Sequence, residues 1–307
     1  MVPEGLGIVP GEVFRLNPFA VGLIVISAFM HAGWNLLSRH QMRPVLFLYR
    51  LLAVVSAAGL VPAVVSETLT RSMPPAAWLC ATGSGLCCGV YYYGLARAYH
   101  AADFTTTYPL VRALPVLLVA LADVLLGRYP TPAGWTGLVL VVAGCLLTPL
   151  RSFRDVRFAR YWNHSFLWIL LAALGTVGYS ILDKQAAEIV QPGPATALRY
   201  CYFYFVVSWL SLAVIVHGFD RQQLRDGPVR WSKATLGAVL NFGGYSLVLW
   251  AYQLSRHVSY VLALRQFSIV IGVILAFNLF REQGRAVRLT GTACILAGML
   301  LIAIWGK

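Results

Sequence analysis

The chain has 307 residues, of which 59% are hydrophobic and only 11% are charged. Soluble domains carry about 25% charged residues, so this composition excludes an ordinary soluble protein. The formal net charge of +13 does not indicate a nucleic-acid partner, because most basic residues lie in short loops between apolar runs, as is typical of membrane proteins.

Apolar runs long enough to cross a bilayer follow one another along the chain. After an irregular N-terminal tail, ten such runs are predicted at 18–38, 45–66, 76–98, 104–126, 133–150, 166–186, 196–217, 232–254, 259–280 and 287–305. The first run has no clear small-residue cleavage site, which favours a retained helix over a signal peptide. The predicted fold is an all-α integral membrane protein with ten transmembrane helices.

The two halves of the chain are related. Arg112 and Arg265 lie in similar stretches that are 153 residues apart (265 − 112). Each arginine follows an Ala-Tyr pair by 14 residues (112 − 98 and 265 − 251). The segment GWNLLSR (33–39) likewise matches GYSILDK (178–184).

Five helices per half is an odd number, so the second half must enter the membrane from the opposite side. The sequence therefore predicts two inverted five-helix repeats, with a substrate site between them near the bilayer midplane. The predicted division is a tail, a first repeat, a basic linker and a second repeat, at 1–17, 18–150, 151–165 and 166–307.

Arg112 and Arg265 are the deepest arginines of the predicted spans. Guanidinium stays protonated and binds carboxylate or phosphate through two parallel hydrogen bonds. The deep carboxylate predicted is Asp123, which lies 11 residues past Arg112 (123 − 112) and, at about 16 Å along the helix, is too far away to pair with it. An anionic substrate would supply the counter-charge. The alternative is that the arginines cap carbonyls freed by Pro109 or bind neighbouring amides such as Gln266.

Other polar side chains are predicted to line the same cavity. His31 and Asn35 are four residues apart and share one face of the first helix. Tyr92 and Tyr245 match at the repeat offset of 153 residues (245 − 92) and offer hydroxyl groups and ring faces to a solute. The predicted substrate-binding set comprises Arg112, Arg265, His31, Asn35, Tyr92, Tyr108, Tyr245 and Gln266.

Two side chains are candidates for proton coupling. His31 titrates near neutral pH, and Asp123 is a carboxyl group that burial would allow to hold a proton; for both, a hydrogen bond within helix packing is the alternative. Asp183, Lys184 and Arg97 lie near predicted helix ends, from which they can reach the membrane surface. The six cysteines lack metal-ligand spacing and no enzyme motif occurs, so no metal, cofactor or catalytic residue is predicted.

The motifs HAGWN (31–35), YPLVR (108–112) and GWTG (134–137), with their echoes in the second half, resemble the EamA-type ten-helix members of the drug/metabolite transporter superfamily. The resemblance covers nearly the whole chain. It implies secondary transport by alternating access, with a cavity lined by the first, third and fourth helices of each half. The sequence LGRY (126–129) departs from the family's usual LGE ending of the fourth helix.

Together, the residues and the resemblance predict a secondary transporter of a small anionic metabolite, either phosphorylated or carboxylated. One alternative is an exporter of amino acids or hydrophobic drugs, in which the tyrosines dominate. Another is a flippase of a lipid-linked anion, in which Arg50 and Arg199 dominate. Expected partners are the substrate, the lipid bilayer and a second copy of the chain, but no nucleic acid, and the expected location is the bacterial inner membrane. Loop charges place both termini outside, whereas family members usually keep them in the cytoplasm.

Overall fold

The computed structural model describes residues 17–39, 41–101, 104–150, 152–153, 165–225, 229–280 and 285–306. The elements of these segments are α1 (Pro18–Arg39), α2 (Pro44–Ala58), α3 (Leu60–Thr70), α4 (Pro75–Ala101), α5 (Phe104–Leu125), α6 (Pro132–Leu147), α7 (Ser165–Ile189), α8 (Pro194–Phe219), a 3₁₀ helix (Arg221–Leu224), α9 (Trp231–Gln253), α10 (Val258–Leu264), α11 (Phe267–Phe280) and α12 (Arg285–Trp305). Most of the predicted linker at 151–165 lies outside the described residues.

The helices are apolar enough to belong in a membrane. Five of them, α1, α7, α8, α9 and α12, meet the length and hydropathy expected of a membrane-spanning helix, and the bent pair α2–α3 makes a sixth. In the described part of the chain every regular element is helical. The all-α membrane class predicted from the sequence is therefore confirmed.

The run predicted as one helix at 45–66 is instead broken into α2 and α3, which meet at 50°. The hydroxyl of Tyr202 donates to the carbonyl of Ser56 at 2.8 Å, an acceptor that a continuous helix would use for the amide four residues later. Pro62 has no amide hydrogen, so it cannot donate to a carbonyl of the preceding turn. A Cβ at Gly59 would lie 2.5 Å from the Tyr202 ring, so the bend requires glycine.

A second predicted helix, 259–280, is interrupted between α10 and α11. The amide of Ser268 donates to the Arg265 carbonyl at 3.2 Å, and that of Ile269 to the Gln266 carbonyl at 2.8 Å. These contacts between residues three apart tighten the helix locally. The interruption leaves the side chains of Arg265 and Gln266 buried, at 7% and 4% exposure.

The packing pairs helices of one half with helices of the other. The first helix of each half packs on the third helix of the opposite half, as α1 on α9 and α7 on α4. The last helices, α6 and α12, pack on each other. This exchange of equivalent contacts is what two structurally related repeats produce, and it puts α1, α4, α5, α7, α9 and α10 around the centre.

The glycines of the last helices form a close contact inside the chain. A Cβ on Gly144 would lie 2.5 Å from the carbonyl oxygen of Gly291, and one on Gly298 would lie 2.5 Å from that of Gly137. Small residues of this kind let helix backbones approach within a membrane. The glycine faces of α6 and α12 are therefore covered by the other half of the same chain, and a homodimer stays a prediction.

Replacing Gly144 with leucine is expected to separate α6 from α12. The added side chain meets backbone rather than a movable side-chain tip, so we expect a loss of at least about 1–3 kcal/mol in the free energy of unfolding. The thermal midpoint of the detergent-purified protein measures this loss. Gly22→Leu is the matched control, because nothing lies within 4 Å of a Cβ at Gly22; equal midpoints for the two variants would contradict the assignment.

Candidate functional site

The first part of the candidate site joins α1 to α5. His31 is 7% exposed, and its Nε2 lies 2.8 Å from Nη1 of Arg112. On the other side of the same ring, the indole Nε1 of Trp34 donates to His31 Nδ1 at 3.1 Å. The structure thus brings together two of the residues that the sequence predicted for the substrate site.

His31 is placed between two groups that can only donate. An indole has one N–H and no lone pair for hydrogen bonding, and a guanidinium is likewise a pure donor. A neutral imidazole has one acceptor nitrogen and a charged imidazole has none. His31 is therefore neutral in this conformation, and whichever tautomer it adopts, one of its two neighbours faces an N–H.

The second part of the candidate site lies where α10 gives way to α11. The guanidinium carbon of Arg265 stands 5.4 Å from the ring centroid of Tyr245, a cation–π distance. Gln266 donates to the Leu262 carbonyl at 3.3 Å. Within the described part of the chain, Nε of Arg265 and Oε1 of Gln266 are buried without a hydrogen-bond partner. Buried polar atoms of this kind are costly and point to a ligand or water at the site.

Both parts of the candidate site influence the imidazole of His31. The positive charges of both Arg112 and Arg265 act electrostatically on His31. A chain of aromatic rings also connects them, with centroid distances of 6.4 Å or less from Trp34 through Tyr92, Tyr91 and Tyr179 to Tyr245. The pairs named as equivalent in the two repeats, Arg112 with Arg265 and Tyr92 with Tyr245, thus line one buried region.

Tyr92 and Tyr245 make different hydrogen bonds. The Tyr92 hydroxyl accepts from the Asn241 amide at 2.8 Å. The Tyr245 hydroxyl donates to the carboxylate of Asp183, and its ring stacks on that of Tyr204 at 5.0 Å. Only the second tyrosine is therefore tied to an acidic group.

Asp183 is the residue that the sequence analysis missed. Its position near a predicted helix end suggested that it reaches the membrane surface, but its side chain is 0% exposed. It accepts hydrogen bonds from Ser84, Tyr200 and Tyr245. The positive charge of Arg265 also acts on it, and Tyr245 contacts both side chains. The alignment of GWNLLSR with GYSILDK contained a signal, since it sets Asp183 against the neutral Ser38.

Asp123 lies apart from the two arginines. Its carboxylate accepts from the amides of Val258 at 3.4 Å and Ser259 at 2.8 Å, and from the Ser259 hydroxyl at 2.6 Å. These are the first amides of α10, which have no partner within their own helix. Asp123 therefore anchors the start of α10 to α5, which agrees with the alternative of a hydrogen bond in helix packing.

The arginines that a lipid flippase would use are bound within the protein. Arg199 forms an ion pair with Glu67 at 3.2 Å. Arg50 donates to the carbonyl of Val229 and stands 4.9 Å from the ring centroid of Trp231. Both contacts connect α2 or α3 with elements of the second half, so these side chains have a role in packing.

Two predicted site residues add little to this cluster. The amide of Asn35 donates to the His31 carbonyl one turn earlier, at 2.8 Å. The side chain of Tyr108 lies outside the described residues. As regards metals, the described segments contain no group of three or more His, Cys, Asp or Glu side chains that could hold an ion.

Comparison with known proteins supports the architecture. The model of the EamA-like transporter family matches residues 18–149 and again residues 164–304. A solved crystal structure is similar over 93% of this chain and 96% of its own, with a TM-score of 0.72 and 15% sequence identity. At that identity, the similarity concerns the fold alone. No curated protein matches the sequence.

Proposed function

Because the chain belongs to the EamA-like transporter family, we propose that it is a secondary active transporter of a small organic anion, either phosphorylated or carboxylated. The family makes it an integral membrane protein of the drug/metabolite transporter type. The anion passes by alternating access between the two repeats, and a proton or a counter-substrate drives the cycle.

The observation that carries this proposal is that two arginines, one from each repeat, act electrostatically on the same buried imidazole of His31. Arg112 touches His31 at 2.8 Å, and the charge of Arg265 acts on the same ring. Guanidinium groups are permanently charged, and two of them in a region of low dielectric attract an anion strongly. The anion would accept hydrogen bonds from the guanidinium groups of Arg112 and Arg265.

The aromatic rings set the size and shape of the anion. Tyr245 contributes a ring face beside Arg265, Tyr92 lies next to Trp34 at the other end of the run of rings, and Gln266 contributes an unpartnered carbonyl oxygen. Such a site fits a small organic anion with a flat or apolar body and one charged group. A simple inorganic anion would leave the ring faces unused.

We place ten membrane spans in this protein, with α2–α3 and α10–α11 each forming one broken span. The two inverted repeats occupy 18–150 and 166–307. Broken helices at a repeat interface are typical of secondary transporters, because the break exposes groups to the substrate. We further propose residence in the bacterial inner membrane.

An exporter of amino acids or hydrophobic drugs is the second candidate function. The observation that favours it is the unbroken run of rings from Trp34 to Tyr204, which includes a stacked pair at 5.0 Å. In that case the arginines are structural, and the substrate binds through aromatic faces and cation–π contacts.

A panel of ligands tests the two functions against each other. The detergent-purified protein is heated with benzoate, phenyl phosphate, benzenesulfonate, zwitterionic phenylalanine or tetraphenylphosphonium, and the unfolding midpoint is measured. A ligand at a hundredfold excess over its Kd stabilises the folded state by about 2.7 kcal/mol. We expect the three anions to raise the midpoint. A rise with tetraphenylphosphonium or phenylalanine alone would replace anion transport by the exporter function.

A further inference from the structure

We propose that Asp183 takes up a proton when an anion binds at Arg265, so that anion and proton are transported together. The inference rests on the anion transport proposed above and names its coupling ion and coupling residue. It differs from the sequence-based expectation, which assigned proton coupling to His31 or Asp123.

The surroundings of Asp183 suit both of its protonation states. Its three hydrogen bonds come from the hydroxyl groups of Ser84, Tyr200 and Tyr245. A hydroxyl group can donate or accept, so each partner can reverse its role when the carboxylate becomes a carboxylic acid. A lysine or arginine partner at the same distance would instead hold the carboxylate in its charged form. The ring of hydroxyls therefore permits a proton to enter and leave without breaking the packing.

Charge balance links Asp183 to the anion. A fully buried carboxylate is costly unless an opposite charge stabilises it. The positive charge of Arg265 acts on Asp183 at a distance, and Tyr245 contacts both, with its hydroxyl on the carboxylate and its ring face toward the guanidinium. An anion bound to Arg265 adds a negative charge near the carboxylate and so favours the protonated form of Asp183. When a proton forms an O–H bond with a carboxylate oxygen of Asp183, the anion replaces the lost negative charge. The net charge of the site is then the same before and after the anion and proton bind together.

Tyr245 connects the two events physically. Its hydroxyl donates to Asp183, while the face of its ring lies 5.4 Å from the guanidinium carbon of Arg265. An anion that draws Arg265 away from this ring also changes the environment of the hydroxyl. Anion binding at Arg265 therefore changes the surroundings of the Asp183 carboxylate through one side chain, that of Tyr245.

A small recess lies beside Asp183 at one end of the bundle, and it has room for about one water molecule. Its lining includes Asp183, Ala187, Val190, Ala197 and Gln253. These residues surround the junction at which α7 ends and α8 begins. Asp183 itself is 0% exposed, so a proton that reaches it from this end would pass through a water molecule in the recess.

Other titratable groups also face Asp183. Those that interact with it electrostatically include Cys80 from α4, Tyr179 from α7, Tyr200 from α8, Tyr245 and Tyr252 from α9, and Arg265. Thiols and phenols are neutral over the pH range in which a carboxyl group titrates. Asp183 is therefore the group of this cluster whose charge changes there.

The pH dependence of anion binding tests the proposal. The probe is benzenesulfonate, whose own charge is constant across the range, and its Kd is measured for wild-type protein, Asp183→Asn and Glu188→Gln. In the wild type, we expect the affinity to fall about tenfold per pH unit on the alkaline side of the Asp183 titration. Asp183→Asn should bind with one affinity throughout, close to the acid limit of the wild type. Glu188→Gln removes a carboxylate of the same helix that is 42% exposed, and it should behave as the wild type.

A second measurement does not depend on any anion. Infrared difference spectra between acid and alkaline pH should contain the carbonyl band of a buried carboxylic acid, and Asp183→Asn should lack it. An unchanged pH dependence in Asp183→Asn would overturn the proposal, and so would an unchanged band. If benzenesulfonate does not bind the wild type, anion transport itself fails, and the absence of the infrared band would then separately remove Asp183 as the proton site.

Discussion

Transport by Arg265→Gln is expected to fall by about thirtyfold or more relative to the wild type. Removing a buried, hydrogen-bonded charge from a binding site costs about 2–5 kcal/mol, and each 1.4 kcal/mol is a factor of about ten. Arg112→Gln should show a loss of the same order, because the two guanidinium groups act on the same imidazole. Uptake of the stabilising anion into proteoliposomes is the measurement.

Two further variants identify the cause of that loss. Arg265→Lys keeps the charge but loses the planar fork and the contact with the Tyr245 ring, so it should retain only part of the activity. Arg256→Gln removes an exposed arginine from the loop before α10 and should transport as the wild type does. Full transport by both Arg112→Gln and Arg265→Gln would show that the arginines are structural.

The second large effect is expected on stability rather than transport. Arg199→Leu should lower the free energy of unfolding by about 3–5 kcal/mol, because it leaves Glu67 buried without its counter-charge. The Arg199 and Glu67 side chains are 11% and 9% exposed, and Glu67 also accepts from the Ser72 hydroxyl at 2.7 Å and the Met73 amide at 2.9 Å. The thermal midpoint of purified protein is the measurement.

A double variant separates the charge effect from a simple loss of contacts. Glu67→Leu combined with Arg199→Leu removes both charges, and it should recover much of the stability lost in the single variant. The more exposed pair of Arg97 and Asp220, 3.0 Å apart with side chains 34% and 15% exposed, provides the control, since Asp220→Leu should cost at most about 1 kcal/mol. A single Arg199→Leu variant as stable as the wild type would contradict this account.

The two halves of the proposed site are alike in position but not in chemistry. In the first half, Arg112 lies against the imidazole of His31; in the second half, Arg265 lies over the ring of Tyr245, whose hydroxyl donates to Asp183. Under the proposed coupling, an acidic group is linked to the arginine of the second half through Tyr245. Such an asymmetry lets a duplicated scaffold couple two different solutes, which two identical half-sites would not do.

The order and ends of the helices follow from the sequence alone. Apolar runs near 20 residues predict helices because their backbone groups must be satisfied internally in lipid, and most predicted ends lie within about three residues of those in the structure. The repeat and the arginine pair can also be recognised from the sequence, because equal spacings in the two halves of the chain are visible without knowledge of the fold. These features depend on contacts between near neighbours in the sequence.

The tertiary structure alone decided the features that need a partner from a distant segment. The bend at Gly59 depends on Tyr202, the capping of α10 depends on Asp123, and the burial of Asp183 depends on hydroxyl groups from α4, α8 and α9. Position within a helix does not reveal such partners, because a residue near a helix end is exposed or buried according to what packs against it. For this reason the sequence located both arginines but did not single out Asp183 as a buried carboxylate.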